Sequence, residues 1–368
     1  MNQIVVYLSF IACISVASCT SSKNRLAAST NELSAARLNP FGRYDIDSGK
    51  SVELIGSAVH FGFTFTGKEC KLYTNLPGAN GHNYLQYTLD GEYQKKIRID
   101  NSHQPITFTA SNGGAHTIWI YKTTEALTGP VYIQKITGHN LKPLSEPDAP
   151  LVEFIGNSIT CGAAADASET PCGTGVYLDQ HDSYHAYGPA VARALGANFI
   201  MSCVSGIGVY RNWNSDAPTM PQVYEKTGLD SNDSRQWNFK KYRPDVVSIA
   251  LGTNDFSRGD GKRQRLPFDS AEFVNHYINF VKVVKSKYPA AQIALLSSPM
   301  VHGADRELLQ NCLTAVKHAI DSAYPGDKQV ALFFFDVMQA HGCAGHPNVE
   351  EHAILAKELI PFFRKLLK

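Results

Sequence analysis

Two different periods of apolar residues divide the chain. Between about residues 43 and 136 the repeat is two: Val59-His60-Phe61-Gly62-Phe63-Thr64-Phe65-Thr66 alternates, and so do Ile97-Arg98-Ile99 and Thr117-Ile118-Trp119-Ile120. That is the repeat of a strand with one buried face. Asp90-Gly91, between apolar-patterned runs at 84–89 and 93–95, is a tight-hairpin signal. No stretch in this region carries the helical period. Roughly one hundred residues of short strands with frequent turns predict an antiparallel jelly-roll β-sandwich.

From residue 151 the pattern alternates between short apolar runs and helical periodicity. Leu151-Val152-Glu153-Phe154-Ile155 reads as a buried parallel strand ending in a Gly156 turn. Further strands are expected at 197–203, 245–251, 291–298 and 330–336, with helices at about 185–195, 270–287, 306–323 and 349–367. Asn348 and Glu351, three positions apart, form a cap signal for the last helix. Five strands with helices between them predict a doubly wound parallel α/β sheet. Between the two regions, residues 140–150 contain Pro143, Pro147 and Pro150 and read as a stiff linker. The expected division is a signal peptide over 1–19, a Ser-, Asn- and Ala-rich tether over 20–36, the sandwich over 37–142, a linker over 143–150 and the α/β domain over 151–368.

Composition adds limits. A chain of 368 residues that is 43% hydrophobic can fill two cores, and a formal net charge of +1 argues against nucleic acid as a partner. Residues 4–17 form an apolar run shorter than the ~20 residues a membrane-spanning helix needs, so a signal peptide is expected, although no Lys or Arg precedes the run. Val16-Ala17-Ser18-Cys19 resembles the lipobox of bacterial lipoproteins, which implies a lipid on Cys19 as the membrane link. The six other cysteines after it, Cys70, Cys161, Cys172, Cys203, Cys312 and Cys343, permit disulfides in an exported protein. Cys161 with Cys172 would close a short loop just past Ser158. No Cys or His spacing suits zinc, and no cofactor is expected. Nothing in the sequence sets the oligomeric state.

Three strand-end stretches carry the candidate chemistry. Ser158 follows the first α/β strand, Asn254 and Asp255 follow the Gly252 turn, and His346 precedes the last helix. A hydroxyl, a carboxamide and an imidazole at one sheet edge are what acyl transfer needs: nucleophile, oxyanion donor and base. Thr160 stands where an α/β-hydrolase elbow requires glycine, and Arg211 where a dinucleotide fingerprint after Gly206-Ile207-Gly208 requires one. Tyr210, Trp213 and Trp237 lie in a long insertion at the same edge, suited either to stacking on sugar rings or to packing that loop. Asp255 is expected to brace the Gly252 turn. His276 and His352 read as surface or core residues, and His341 matches no motif.

These residues resemble the motif blocks of the SGNH, or GDSL-like, hydrolase superfamily: Gly156-Asn157-Ser158, Gly206, Gly252-Thr253-Asn254-Asp255 and His346, in the family's order. The resemblance implies Ser158 as nucleophile, His346 as base, and the Ser158 and Gly206 N–H groups with the Asn254 side chain as oxyanion donors. With a sandwich in front, Gly156-Asn157-Ser158-Ile159-Thr160-Cys161-Gly162 and His346-Pro347 look like carbohydrate esterase family 2. That family's jelly-roll-plus-SGNH enzymes remove acetyl groups from plant polysaccharides such as xylan or glucomannan, often at the 6-position. The implied partner is an acetylated polysaccharide or oligosaccharide. SGNH enzymes usually carry Asp three residues before the histidine, but here that residue is Cys343. Either a backbone carbonyl orients His346, giving a Ser–His dyad, or a remote Asp336 or Asp255 does. Two other readings stand beside this one: another ester hydrolase of the superfamily, acting on lipid or cell-wall glycan, and a non-catalytic carbohydrate-binding protein.

Overall fold

The computed structural model describes Met1, residues 31–78 and residues 81–368. The expected signal peptide, Cys19 and most of the tether lie outside the described residues. Among the described residues no helix is long and apolar enough to cross a membrane.

The alternating region forms nine antiparallel strands: β1 (Glu32–Ser34), β2 (Tyr44–Ile46), β3 (Val52–Leu54), β4 (His60–Asn75), β5 (His82–Leu89), β6 (Glu92–Asp100), β7 (Ile106–Thr109), β8 (Ala115–Lys122) and β9 (Val131–Pro143). Their path is β2-β3-β9-β4-β8-β5-β6, with β1 on β9 and β7 on β4. Phe61 lies opposite Ile120 and Phe63 opposite Ile118, all four buried, so the two-residue repeat becomes one apolar face. Val52 and Leu54 of β3 share a core with Leu85 and Tyr87 of β5, although other strands separate them in the sheet. The sheet therefore folds over itself, as a sandwich must. At the hairpin, Asp90 (φ 53°) and Gly91 (φ 88°) both adopt the left-handed conformation that a two-residue turn demands.

Two boundaries move. Glu32–Ser34, read as tether, pairs with β9 and buries Leu33, a strand too short for a period to reveal. Residues 140–143, read as linker, are the end of β9 with Leu141 in the core, since proline is tolerated at a strand end.

The second domain is a parallel sheet of β10 (Leu151–Gly156), β11 (Asn198–Cys203), β12 (Val246–Ala250), β13 (Gln292–Leu296) and β14 (Ala331–Phe333), in the order β11-β10-β12-β13-β14. Its helices are α1 (Ser158–Cys161), α2 (Tyr187–Leu195), α3 (Met220–Val223), α4 (Thr253–Phe256), α5 (Ser270–Lys287), α6 (Gly303–Ala323) and α7 (Val349–Leu366). Val152 and Phe154 face a core shared with α2 and α7, while Ile155 faces one shared with α5 and α6. Helices thus cover both faces of the sheet. The α7 cap is reciprocal: Asn348 Oδ1 accepts from Glu351 N (2.9 Å) and Glu351 Oε2 accepts from Asn348 N (2.8 Å). His352 is buried between α7 and α2, and His276 is exposed beside Glu272.

The domains are joined by more than a linker. Arg43, from the first, is fully buried; it donates to Ser202 Oγ (2.8 Å), Lys226 O (2.8 Å) and Tyr224 O (3.0 Å) of the second. The Glu153 carboxylate on β10 lies 4.0 Å from the guanidinium and accepts from Ser202 Oγ and Tyr224 Oη. Burial pushes Arg43 down and Glu153 up, and their mutual attraction opposes both shifts. Arg43→Leu, which strands that carboxylate, is expected to destabilise the protein by ~3–5 kcal/mol, read as a lower urea midpoint, with Glu153→Gln in the same chain recovering part of the loss.

Candidate active site

The site begins with strand register. Gly156 at the end of β10 stands opposite Cys203 at the end of β11 and Ala250 at the end of β12. The segments that follow, holding Ser158, Gly206 and Asn254, therefore leave the sheet at one level and one edge. Gly156 is required by space: a Cβ there would stand 2.0 Å from Thr160 Oγ1. Asn157 caps α1 by accepting from Ile159 N (3.0 Å), which turns Ser158 out at the first helical position.

His346 arrives from the other end of the sequence. Its Nε2 is 2.8 Å from Ser158 Oγ, across 188 positions. Its Nδ1 faces only carbonyl oxygens, Ala344 O at 3.1 Å and Cys343 O at 3.3 Å. Carbonyls only accept, so Nδ1 carries the proton and Nε2 is left to accept from the serine hydroxyl. Burial holds the imidazole below its ordinary pKa, with the two carbonyls opposing. At neutral pH it is an unprotonated base.

The groups facing Nδ1 are thus backbone carbonyls, and neither Asp336 nor Asp255 bonds to the ring. Asp255 serves a different loop from the one expected. Its buried carboxylate accepts from Val209 N (3.0 Å), Tyr210 N (2.9 Å) and Arg211 N (3.2 Å), not from the Gly252 turn. A Cβ on Gly208 would stand 2.1 Å from Arg211 O and 2.6 Å from that carboxylate, which explains the glycine.

Cys343 does not pair within a local loop, and Cys161 does not pair with Cys172. The disulfide joins Cys172 to Cys343, 171 positions apart, and ties the 166–180 loop to the histidine loop. Cys161 is a free thiol inside the core, because the one-turn α1 points it inward. Cys70, Cys203 and Cys312 are likewise free and buried.

A cleft of about 390 Å³ opens beside the dyad, lined by Ser158, Asn254 and His346 with Trp213, Met300 and Val301. Asn254 Nδ2 gives one proton to Ile207 O (2.8 Å), which fixes the carboxamide; its second N–H has no such tie. Gly206 lines a neighbouring groove of about 480 Å³, and Trp213, 45% exposed, stands between the two. Tyr210 and Trp237 are elsewhere. Tyr210 packs on Phe268 and Phe273, and its hydroxyl accepts from Asp269 N (3.2 Å). Trp237 is buried beneath the Arg43 guanidinium, 4.8 Å from its ring. Both fill the base of the long insertion, the packing alternative left open for them. His341 is bound to Glu351 of the α7 cap.

Sequence reasoning missed Tyr177, whose hydroxyl lies 3.4 Å from His346 Nε2 and 3.4 Å from Ser205 Oγ. It also missed Glu125, whose carboxylate accepts from Ser205 N. Tyr177 sits in a Gly-rich loop and Glu125 in a strand connection, and neither carries a local signal. Among the described residues no group of three or more His, Cys, Asp or Glu could hold a metal ion.

Comparison with known proteins fits this geometry. A model for the GDSL-like lipase/acylhydrolase family matches residues 154–353, more than half the chain. The chain belongs to that family. Residues 41–147 of this acylhydrolase match the carbohydrate esterase 2 N-terminal domain. It is 27% identical over 370 residues to an acetylxylan esterase / glucomannan deacetylase of Cellvibrio japonicus, covering 97% of this chain and 95% of that protein. It is 30% identical over 333 residues to a cellulase/esterase of Acetivibrio thermocellus, covering 86% of this chain and 38% of that protein. A solved family two carbohydrate esterase from Clostridium thermocellum in complex with cellohexaose is 27% identical, with a TM-score of 0.77 over 91% of this chain and 98% of that one. The acylhydrolase is therefore an enzyme, a serine-type ester hydrolase.

Two outcomes follow from its dyad. Because burial lowers His346, the group is neutral above its depressed pKa and charged below it; the acid limb of kcat/KM is expected below 6.5, the ordinary value, as read from a pH–rate profile. Cys172→Ser with Cys343→Ser frees the histidine loop, and is expected to cost ~2–5 kcal/mol in thermal or urea unfolding and to lower kcat.

Proposed function

We propose that this acylhydrolase is an exported carbohydrate O-acetyl esterase acting on acetylated plant polysaccharide of the xylan or glucomannan type, including 6-O-acetyl groups. The observation that carries the reading is the 2.8 Å contact between Ser158 Oγ and His346 Nε2 in an open cleft. The relatives' named activities support the choice of substrate class. An exposed tryptophan at the cleft edge, Trp213, suits the apolar face of a sugar ring.

In this mechanism Ser158 Oγ attacks the acetyl carbonyl as its proton passes to His346 Nε2. Negative charge moves onto the carbonyl oxygen, held by the Ser158 N–H, the Gly206 N–H and the free Asn254 N–H. The first-turn N–H of α1 has no partner within its own helix and is available for this. Collapse breaks the bond to the sugar oxygen, which takes the proton from His346 and leaves as an alcohol. Water, deprotonated by the same imidazole, then attacks the acetyl-serine; collapse breaks the acyl–Oγ bond, Ser158 Oγ takes the proton back from His346, and acetate departs. The Ala344 and Cys343 carbonyls hold the imidazolium through Nδ1–H in both halves.

Export rests on the 4–17 apolar run, with the Cys19 lipobox as the membrane link; a disulfide among the described residues suits an oxidising compartment. The test is hydrolysis of 4-nitrophenyl acetate and of acetylated xylan and glucomannan by purified protein. Ser158→Ala is expected to lower kcat by roughly 10³-fold or more with the fold intact. Acetate esters should be turned over faster than butanoate or octanoate esters. A preference for the long chains would favour a lipid ester hydrolase, and full activity in Ser158→Ala would overturn the reading.

A further inference from the structure

The mechanism leaves unused a buried carboxylate that reaches the site from the other domain. Glu125 follows β8 of the first domain and is 3% exposed. Its Oε2 accepts from the backbone N–H of Ser205 at 2.5 Å, and Ser205 directly precedes Gly206. The structure assigns Glu125 as a positioning residue: it holds the Ser205-Gly206 turn so that the Gly206 N–H points at the oxyanion, an inference that rests on the esterase reading above. Through Glu125 the first domain would take part in the chemistry of the second.

The carboxylate is itself held from several sides. Lys122, fully buried, donates from Nζ to Thr124 O (2.9 Å), Thr124 Oγ1 (2.9 Å) and Glu125 O (2.7 Å), which fixes the backbone of the segment. Ser183 of the second domain donates from Oγ to Lys122 O (2.7 Å) and from N to Thr123 O (3.2 Å). Ala126, the next residue, sits in the apolar core shared with α5 and α6. Around the carboxylate stand His181, with Nε2 at 3.5 Å from Oε1, and the Cys161 thiol at 3.7 Å from Oε2. Burial pushes Glu125 up, but His181 and the Ser205 N–H outweigh it and hold the group below the ordinary carboxylate range. A charged acceptor makes a shorter and stronger bond to an N–H than a neutral one, and here it acts one residue from a proposed oxyanion donor.

An apolar contact could pack this turn without the desolvation cost of a buried carboxylate. What the side chain adds is an acceptor oxygen that fixes the direction of one N–H. Three substitutions separate this role from a merely structural one. Glu125→Gln keeps an oxygen at reach of Ser205 N but removes the charge. Glu125→Asp keeps the charge and withdraws the oxygen by one methylene, and Glu125→Ala removes both.

The readout is kcat and KM for 4-nitrophenyl acetate, normalised to the sites titrated to completion by a serine-reactive phosphonate so that unfolded protein does not count. Glu125→Asp and Glu125→Ala are expected to lower kcat by about 10²-fold with KM within about threefold, as loss of an oxyanion donor does. Glu125→Gln should restore most of kcat. A kcat within twofold of wild type in Glu125→Asp overturns the inference, as does a Glu125→Gln enzyme no better than Glu125→Asp. Wild-type protein without esterase activity would instead overturn the functional reading.

Discussion

No residue of β10 is exposed, and that constraint organises the molecule. A strand buried on both faces, hydrogen-bonded on both edges to β11 and β12, presents nothing to solvent along its length. Reactive groups can appear only where it ends. Because Gly156, Cys203 and Ala250 lie level, β10 and its two neighbours end together, and the turns beyond them converge without any long-range device. His346 needs a separate route to the same edge, which the α7 cap and the Cys172–Cys343 bridge supply.

The first domain belongs to this arrangement. Arg43 enters beneath β10 and β11, and Lys122 orders the segment that carries Glu125. Arg43 exchanges its solvent for partners on the second domain, and Lys122, which burial lowers to about 7, orders a segment that Ser183 of the second domain holds, so each domain completes the other's buried hydrogen bonds. A jelly roll joined by a flexible linker could be removed with little effect. One that plugs Arg43 into the face of the catalytic sheet is a structural component of it.

Much of this was legible in the chain because local rules and tertiary demands agree. The two-residue repeat around Phe61, the helical repeat of 270–287 and the Asn348/Glu351 pair each specify their element by short-range physics. Ser158, Asn254 and His346 were legible for a related reason: each follows a strand or precedes a helix, so topology alone sends it to the edge. Contacts made by long-range packing were not. Tyr210 and Trp237 have the composition of sugar platforms, yet the insertion they belong to needs its own core, and burial claimed them. Asp255 could reach two turns, and the choice of Val209–Arg211 depends on how closely Gly208 lets the backbone approach. Cysteine pairing depends on which thiols the fold brings together, and α1 turns Cys161 into the core, away from Cys172.

Cys343 at the position where a carboxylate was expected bears on how the imidazole is held. A carboxylate beside the imidazole would orient it and stabilise the imidazolium by charge; carbonyl dipoles orient it equally well but supply less of the second. An imidazolium formed here in transit therefore depends more on geometry, and geometry depends on the loop that carries the carbonyls. That loop is tightly closed: Gly342 N donates to His346 O at 2.7 Å, His346 N donates to Cys343 O at 3.1 Å, and Cys343 N donates to Ala164 O at 2.9 Å. Ala344 holds a left-handed backbone (φ 50°), a cost of order 1 kcal/mol that the surrounding bonds sustain. With the disulfide at Cys343 as a covalent stop, backbone dipoles stand beside the imidazole in place of a charge, and the residue at the position where a carboxylate was expected anchors the loop.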